Sequence, residues 1–514
     1  LHENKAMPSN AVSQNAVSTV VGYLLAKGYF NPNSPNLPQN ISILAEANTA
    51  NQSALSLLPA QITSAKQAAT LYGYGSPIYT AARILFPSTG QGVTIPVTVY
   101  PQAAAGGAVA KVITITPTGT ASASGTIYLT IDGRQTLDGG SYAINIASGD
   151  TPTVICDKFR AAIAAVLGCP VTGTGTATFI ATAKWTGLTS NDINISVDLG
   201  STSLGTTYAV VNTTAGAGTP SVTGTGNGLA LFNNAWNTIV INGYGLVSAT
   251  MVELETYNGI PDPTTPTGQF AGPIMRPMWA LSGTTLDNPT SITGAGVRPN
   301  NVTIVPCVAP LSSGLPIEAA ANVAFILANV FQNSPQSDVI GLSYPDMPAP
   351  PAGSIPAMNT QSTREAYVKL GCSTVDFVSG VYVIKDLVTT YNPDGEYPPF
   401  YRWVSILNKQ FNYKFRYHLR EQQKLVGKTI AKDTDVVTAP NVMKPKMWAA
   451  EVRDLIDGAV RDGILVDGDF SKKSVVVTIN ANNPDRFDTE LDTKSSGVVR
   501  ISATTNRAGF LYGQ

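Results

Sequence analysis

Four short apolar runs in the second half of the chain, Thr238–Ile241, Pro277–Leu281, Val302–Val305 and Val339–Leu342, constrain the fold more than any other feature. Helix-like stretches lie among them: Leu229–Ala235 before the first, Val247–Tyr257 after it, and Ile317–Phe331 between the last two. A strand that is apolar at consecutive positions needs cover on both faces, and helices between strands supply it. The pattern predicts a mainly parallel sheet covered on both sides and argues against a purely β protein.

Ahead of this region the pattern changes. From residue 88 to about 225, Thr, Gly, Ala and Ser alternate with Val and Ile, as in Lys111–Thr116 and Thr126–Ile131, which is strand sequence of period two. Asp132-Gly133 is a hairpin turn signal. One helix, about Thr151–Leu167, places Val154, Ile155, Phe159, Ile163 and Val166 on one face. Strands resume at Ala177–Ala183 and Ile193–Val197, and the Gly- and Thr-rich run Thr213–Asn227 reads as an exit linker. Residues 1–40 read as an extended arm, because Pro32, Pro35 and Pro38 oppose a regular helix. Ser53–Phe86 is helical in pattern, with Ser76 suited to an N-cap and Pro77 to the first helical position.

In the last third, Met347–Pro356 is a Pro-rich connector, Arg364–Leu370 a helix, Val381–Val388 a strand and Asn392–Gly395 a turn. Tyr401–Lys424 fits two patterns. Phe411, Tyr413, Phe415, Tyr417 and Leu419 alternate with polar residues as a strand would, while Val404, Leu407, Phe411, Phe415 and Leu419 fit a helical face. The run exceeds an average strand and has no internal breaker, so a helix is expected. Lys446–Val460 carries Trp448, Val452, Leu455, Ile456, Ala459 and Val460 on one stripe, with Gly463 beyond its end. Ser474–Ile479 and Val498–Ala503 read as strands. The expectation is an α+β multidomain chain. It has an arm (1–40), a central α/β domain (41–87 and 229–385), an inserted β-rich domain (88–228), a C-terminal α+β domain ending in strands (386–495), and a terminal strand or arm (496–514).

The 514 residues carry a net charge of -1 with 13% charged residues. Nucleic acid and anionic membranes both call for a basic surplus, so neither is favoured. The best apolar run, Val323–Val330, is too short to cross a bilayer. The first residues lack a basic-then-apolar signal, and the chain starts at Leu1 rather than Met, as a processed or partial start would. Cys156, Cys169, Cys307 and Cys372 form no C-x-x-C pair and have no nearby His, which disfavours zinc. They are either reduced, buried thiols or disulfide cysteines linked within or between subunits.

Catalytic patterns fail one by one. The histidines are His2 and His418, so a Ser-His-Asp or Cys-His site would have to use His418, which lies among Lys and Arg. Gly427-Lys428-Thr429 mimics the end of a P-loop, but Gln422 stands where the leading glycine belongs. Gly173-x-Gly175 and Gly224-x-Gly226 lack a third glycine. Gly341–Pro345 departs from a nucleophile elbow at its last position, and Asp467 with Asp469 reads as a turn. Their joint failure argues against an enzyme, and no cofactor is expected.

The order Val388-Thr389-Thr390-Tyr391, aromatic and basic helix, amphipathic helix and two strands resembles the C-terminal domain of contractile phage tail sheath proteins. Further segments resemble the Mu-like sheath group in sequence order. They are Gly73–Pro77; the inserted region, with Gly149-Asp150-Thr151 before its helix and Thr182-Ala183-Lys184 and Gly187 after it; Asn237–Ile241; Ser362–Glu365 with Gly371; and Asn483–Phe487. The likeness spans most of residues 70–514 and departs in the Asn- and Pro-rich N-terminus. It implies a subunit that polymerises in rings around a tail tube and stores energy in the difference between two packings, with no nucleotide. Contraction would drive the tube through the host envelope for genome delivery. Implied partners are other sheath subunits, the tail tube protein, and baseplate and tail terminator proteins, with no nucleic acid and no membrane insertion. The implied location is the virion tail, after assembly in the host cytoplasm. The sheath of a phage-derived contractile injection particle is the alternative. A secreted β-rich adhesive or carbohydrate-binding protein is a remote one, prompted by the Thr- and Gly-rich middle.

On this reading Val498, Val499, Arg500, Ile501, Ser502 and Ala503, with Thr504 and part of residues 9–30, are candidates for strand addition to a neighbour, since an unpaired strand edge offers free donors and acceptors. Lys409, Lys414, Arg416, Arg420 and Lys424 form a basic face that is a candidate tube contact. The inserted domain is expected to face outward.

Overall fold

The computed structural model describes residues 35–131, 141–200, 203–224, 226–232, 235–262, 264–271, 275–288, 298, 300–393 and 400–508. The chain is mixed α+β with several sheets. Strand β1 (Ile41–Glu46) is buried at all six positions. It is followed by β2 (Ala60–Ile62), α1 (Ala65–Tyr72), α2 (Pro77–Leu85) and β3 (Val97–Gln102). Ser76 caps α2 by accepting from the Tyr79 N–H, and Pro77 opens it. The Gly73–Pro77 motif is the joint between α1 and α2. A Cβ on Gly75 would sit 2.3 Å from the Cys169 carbonyl oxygen, and its φ of +76° suits glycine.

The middle segment forms β4 (Val112–Thr118), β5 (Gly125–Ile131), β6 (Ser141–Ile146), α3 (Pro152–Ala164), β7 (Val171–Thr174), β8 (Phe179–Ala183), β9 (Ile195–Asp198) and β10 (Thr207–Thr214). They make two antiparallel sheets, in the orders β10-β4-β8-β7 and β6-β5-β9. Alternate residues turn inward, so Ile113, Ile115, Ile127, Leu129 and Ile131 are buried while their neighbours are less so. Helix α3 buries Ile155, Cys156, Phe159 and Ile163. The Asp132-Gly133 turn signal lies outside the described residues.

Then come β11 (Ile239–Asn242), α4 (Ser248–Asn258), β12 (Trp279–Thr284), β13 (Ile304–Val308) and α5 (Pro316–Asn333). The large sheet has the order β13-β12-β11-β1-β3-β2, with all neighbours parallel except β2. One face sets Ile41, Ile43, Ile239, Ile241, Trp279 and Leu281 in a core with α2 and α5. The other sets Leu44, Val240, Ala280 and Ile304 against Met251 and Leu254 of α4. Three of the four apolar runs thus yield parallel strands. The fourth does not. Asp338 Oδ1 accepts from the N–H groups of both Val339 and Ile340, and Gly341 has a φ of +82°, so the run starts as a turn. From Gly341 on it makes only a short antiparallel contact, the Gly341 N–H donating to the Ile384 carbonyl and the Ile384 N–H to the Leu342 carbonyl, and it does not join the parallel sheet. A second correction concerns Val97–Gln102. It falls inside the span read as inserted, yet β3 pairs with β1 in the large sheet. Likewise Leu37, at the end of the expected arm, is 1% exposed and belongs to the core; residues 1–34 lie outside the described part.

The last third contains α6 (Gln361–Lys369), the hairpin β14 (Thr374–Val378) and β15 (Val381–Asp386), α7 (Val404–Arg420), β16 (Thr429–Ile430), β17 (Val442–Met443), α8 (Pro445–Arg461), β18 (Leu465–Val466), α9 (Gly468–Ser474), β19 (Val476–Ile479), β20 (Phe487–Glu490) and β21 (Lys494–Ser495). The ambiguous segment is helical, extended by one π turn at Glu421–Leu425. Helix α8 builds a separate core from Trp448, Val452, Leu455, Ile456 and Ala459. Val498–Ala503, expected as a strand, forms no ladder: its backbone makes no hydrogen bond to the described residues.

Candidate assembly surfaces

Helix α7 organises the C-terminal third. Its apolar stripe, Val404, Leu407 and Phe411, enters the main core, where the Phe411 ring stacks on Trp279 at 5.1 Å. A second stripe, Ser405, Asn408, Lys409, Asn412 and Arg416, repeats at three- and four-residue spacing and is buried too. Each member has a partner. The Ser405 hydroxyl donates to Asp338 Oδ2 at 2.6 Å, and Asn408 Nδ2 to the Pro335 carbonyl at 2.9 Å. Asn412 Oδ1 accepts from the Leu37 N–H at 2.8 Å, and Arg416 pairs with Asp462 at 2.6 Å.

This geometry corrects the expected basic face. Lys409 is 1% exposed and donates to the Ser496 carbonyl at 2.8 Å. Lys414 donates to the Met275 carbonyl at 2.6 Å and lies 4.8 Å from the centre of a Trp236 ring. Burial, reinforced by Arg276, pushes its pKa down to about 8. Arg420 bridges Glu451 at 2.6 Å and Asp454 at 3.0 Å. Lys424 is exposed. Four of the five cations therefore tie the chain to itself instead of forming a shared surface. Sequence alone could not show this, since a helix stripe of Lys, Asn and Arg reads the same whether water or carbonyls face it. Beside Lys414, Trp236, Phe415 and His418 opens a largely apolar cavity of about 270 Å³.

The tail is anchored at its base. The Ser496 N–H donates to the Ile464 carbonyl at 3.1 Å, its hydroxyl to Gly463, and Gln410 of α7 bonds Ser495. From 497 to 508 the backbone makes no hydrogen bond to the described residues. Val498 and Arg500 face the body, while Val499 and Ile501 are 86% and 85% exposed. Arg500 pairs with Asp338, donates to Ser405 Oγ at 3.1 Å and lies 3.7 Å from the centre of the Trp403 ring. Burial lowers its pKa, and Asp338 opposes that.

Elsewhere the chemistry is quiet. All four cysteines are free and buried in the chain. Glu46 at the end of β1 is 3% exposed, and its Oε2 has no hydrogen-bond partner among the described residues. Burial pushes its carboxyl up to about 8, with the Thr186 hydroxyl opposing. His418 lies 3.7 Å from Glu421, and Lys428 donates to Asn441 instead of framing a phosphate site. Among the described residues no three His, Cys, Asp or Glu side chains cluster to hold a metal, and no helix is long and apolar enough to cross a membrane.

No protein-family model matches the chain, and no curated protein matches it. Among solved structures it is similar to a sheath tail protein from Desulfitobacterium hafniense, over 89% of this chain and 93% of that one, at 10% identity and a TM-score of 0.41. A second similarity, to the D2-D3 domains of the flagellar cap protein FliD from Escherichia coli, covers 22% of this chain and 71% of that one, at 21% identity and a TM-score of 0.11. Neither superposition is close enough to carry a functional argument.

Proposed function

We propose that this chain is the structural subunit of a contractile tail sheath, one that polymerises around a tail tube and contracts to drive it through a host envelope. The observation that carries the reading is the tail 497–508, whose backbone makes no hydrogen bond to the described residues and which exposes Val499 and Ile501 at 86% and 85%. A lone globule gains nothing from such a segment, whereas a lattice does. An extended strand added to a neighbour's sheet links two subunits without a large rigid interface. Such a link can persist while subunit bodies move from one packing to another. The ordered series of sheath-like segments from Gly73 to Phe487 supports the same reading.

The tube protein, baseplate and terminator are proposed partners on that basis, with the virion tail as location. With four basic residues of α7 engaged internally, Lys424 is the member of the set left for a tube contact. The inserted sheets between residues 103 and 218 are proposed to face outward, where a lattice tolerates added mass. Negative-stain electron microscopy of the purified protein tests the reading. Tubes or rings of uniform width are expected; a monodisperse globule at every concentration and salt condition would sink it.

A further inference from the structure

We propose that Arg500 is a positioning residue that holds the C-terminal tail extended and presents it for strand addition to a second copy of this chain. The inference rests on the sheath reading above and supplies a control on the same surface.

Three observations carry it. First, the tail alternates as a strand although it has no strand partner. Val498 and Arg500 turn to the body, and Val499 and Ile501 turn to solvent. That is the period of two expected of extended backbone. Second, its fixed points form one line along α7. Gln410 holds Ser495, Lys409 holds the Ser496 carbonyl, and Ser405 with Asp338 holds Arg500. Beyond Arg500 the residues to 508 are exposed and without hydrogen bonds to the described part, so Arg500 is the last peg among the described residues.

Third, the peg is specific to arginine. A planar guanidinium can lie on the Trp403 ring while its fork meets both a carboxylate and a hydroxyl, which a lysine ammonium cannot do. Asp338 is itself fixed, with Oδ1 accepting from Val339 and Ile340 and Oδ2 from Ser405. The groups facing Arg500 are therefore Asp338, Ser405 and Trp403, with Lys409 and Asp386 nearby in charge. Its Nη1 is buried without a hydrogen-bond partner among the described residues. A segment already extended loses less conformational freedom on docking, which favours association without any new contact.

The test uses the full chain, with a nitroxide on Ala503→Cys; the four native thiols are buried, so the introduced one is the accessible site. In Arg500→Gln the label's spectrum should sharpen, and the protein concentration needed for assembly should rise about tenfold. The thermal midpoint should fall because Asp338 loses its partner, so assembly is measured well below it, where the variant is fully folded. Arg500→Lys should fall between. Assembly of Arg500→Gln at the unmodified concentration, or below it, overturns the peg. Removing residues 497–514 separates the two ideas. If that truncation assembles normally, the tail reading itself fails. If it blocks assembly while Arg500→Gln is silent, only the peg fails.

Discussion

Strand β1 and the tail 497–508 are both extended chain, and they differ in everything else. β1 is buried at all six positions and pairs on both edges, with β11 and β3. Among the described residues the tail pairs on neither edge, and it leaves Val499 and Ile501 in water. A strand between two neighbours has its backbone groups satisfied and its side chains packed, so the body's stability depends on it. A tail with open edges adds little to that stability and keeps its hydrogen-bonding capacity for something outside the subunit. The body and the tail should therefore answer to different measurements.

The sharpest way to break that division is to damage the body. Arg83→Ala removes the ion pair to Glu318, whose side chain is 0% exposed and lies 2.7 Å away. The loss should be about 3–5 kcal/mol in urea unfolding, because a buried charge is stranded. Trp279→Ala, which empties the ring position between Phe331 and Phe411, should cost a similar amount, about 3–5 kcal/mol. A loss below about 1 kcal/mol for either would mean that the core relaxes around these sites.

Next in size is a gain. Glu46 titrates at about 8 in the folded chain against 4.5 as its ordinary value. A raised carboxyl is stabilised only while neutral, so its contribution is complete below 4.5 and is lost as the pH climbs towards 8. Glu46→Gln keeps the neutral shape. It should flatten the stability profile across that window and exceed the unmodified chain by up to about 3 kcal/mol at pH 7. Parallel pH profiles for the two proteins would refute the assignment.

The smallest effect on stability is expected in the tail. Val499→Ser with Ile501→Ser should move the unfolding free energy by no more than about 0.5 kcal/mol. The same pair should raise the concentration needed for assembly, read by light scattering. A marked fall in the melting point would show that the tail belongs to the body after all.

The alternation of residues in β4 and β5, the continuous apolar strands β11 to β13, the cap at Ser76 and the helix α8 are legible in the sequence because each depends on neighbours a few positions away. The central strand β1 escaped that reading, since Ile41-Ser-Ile-Leu-Ala-Glu mixes polar with apolar residues, and its Ser42 and Glu46 are buried only because other segments cover them. The strand expected at Val339–Leu342 shrank to a short antiparallel contact with Ile384 for a different reason: the Asp338 carboxylate beside it claimed the N–H groups of Val339 and Ile340.

By itself the sequence determined most of the helices, the alternating and continuously apolar strands, which of their faces are apolar, and the lack of a spaced catalytic motif, all of which follow from local periodicity and composition. The tertiary structure alone decided that Lys409 and Arg416 are internal ties, that Glu46 is buried, and that Arg500 reaches Asp338 across the fold. A charged residue looks the same in a string of letters wherever it lies. Whether its counterpart is water, a carbonyl or a carboxylate depends on segments tens to hundreds of positions away, and only packing brings those together.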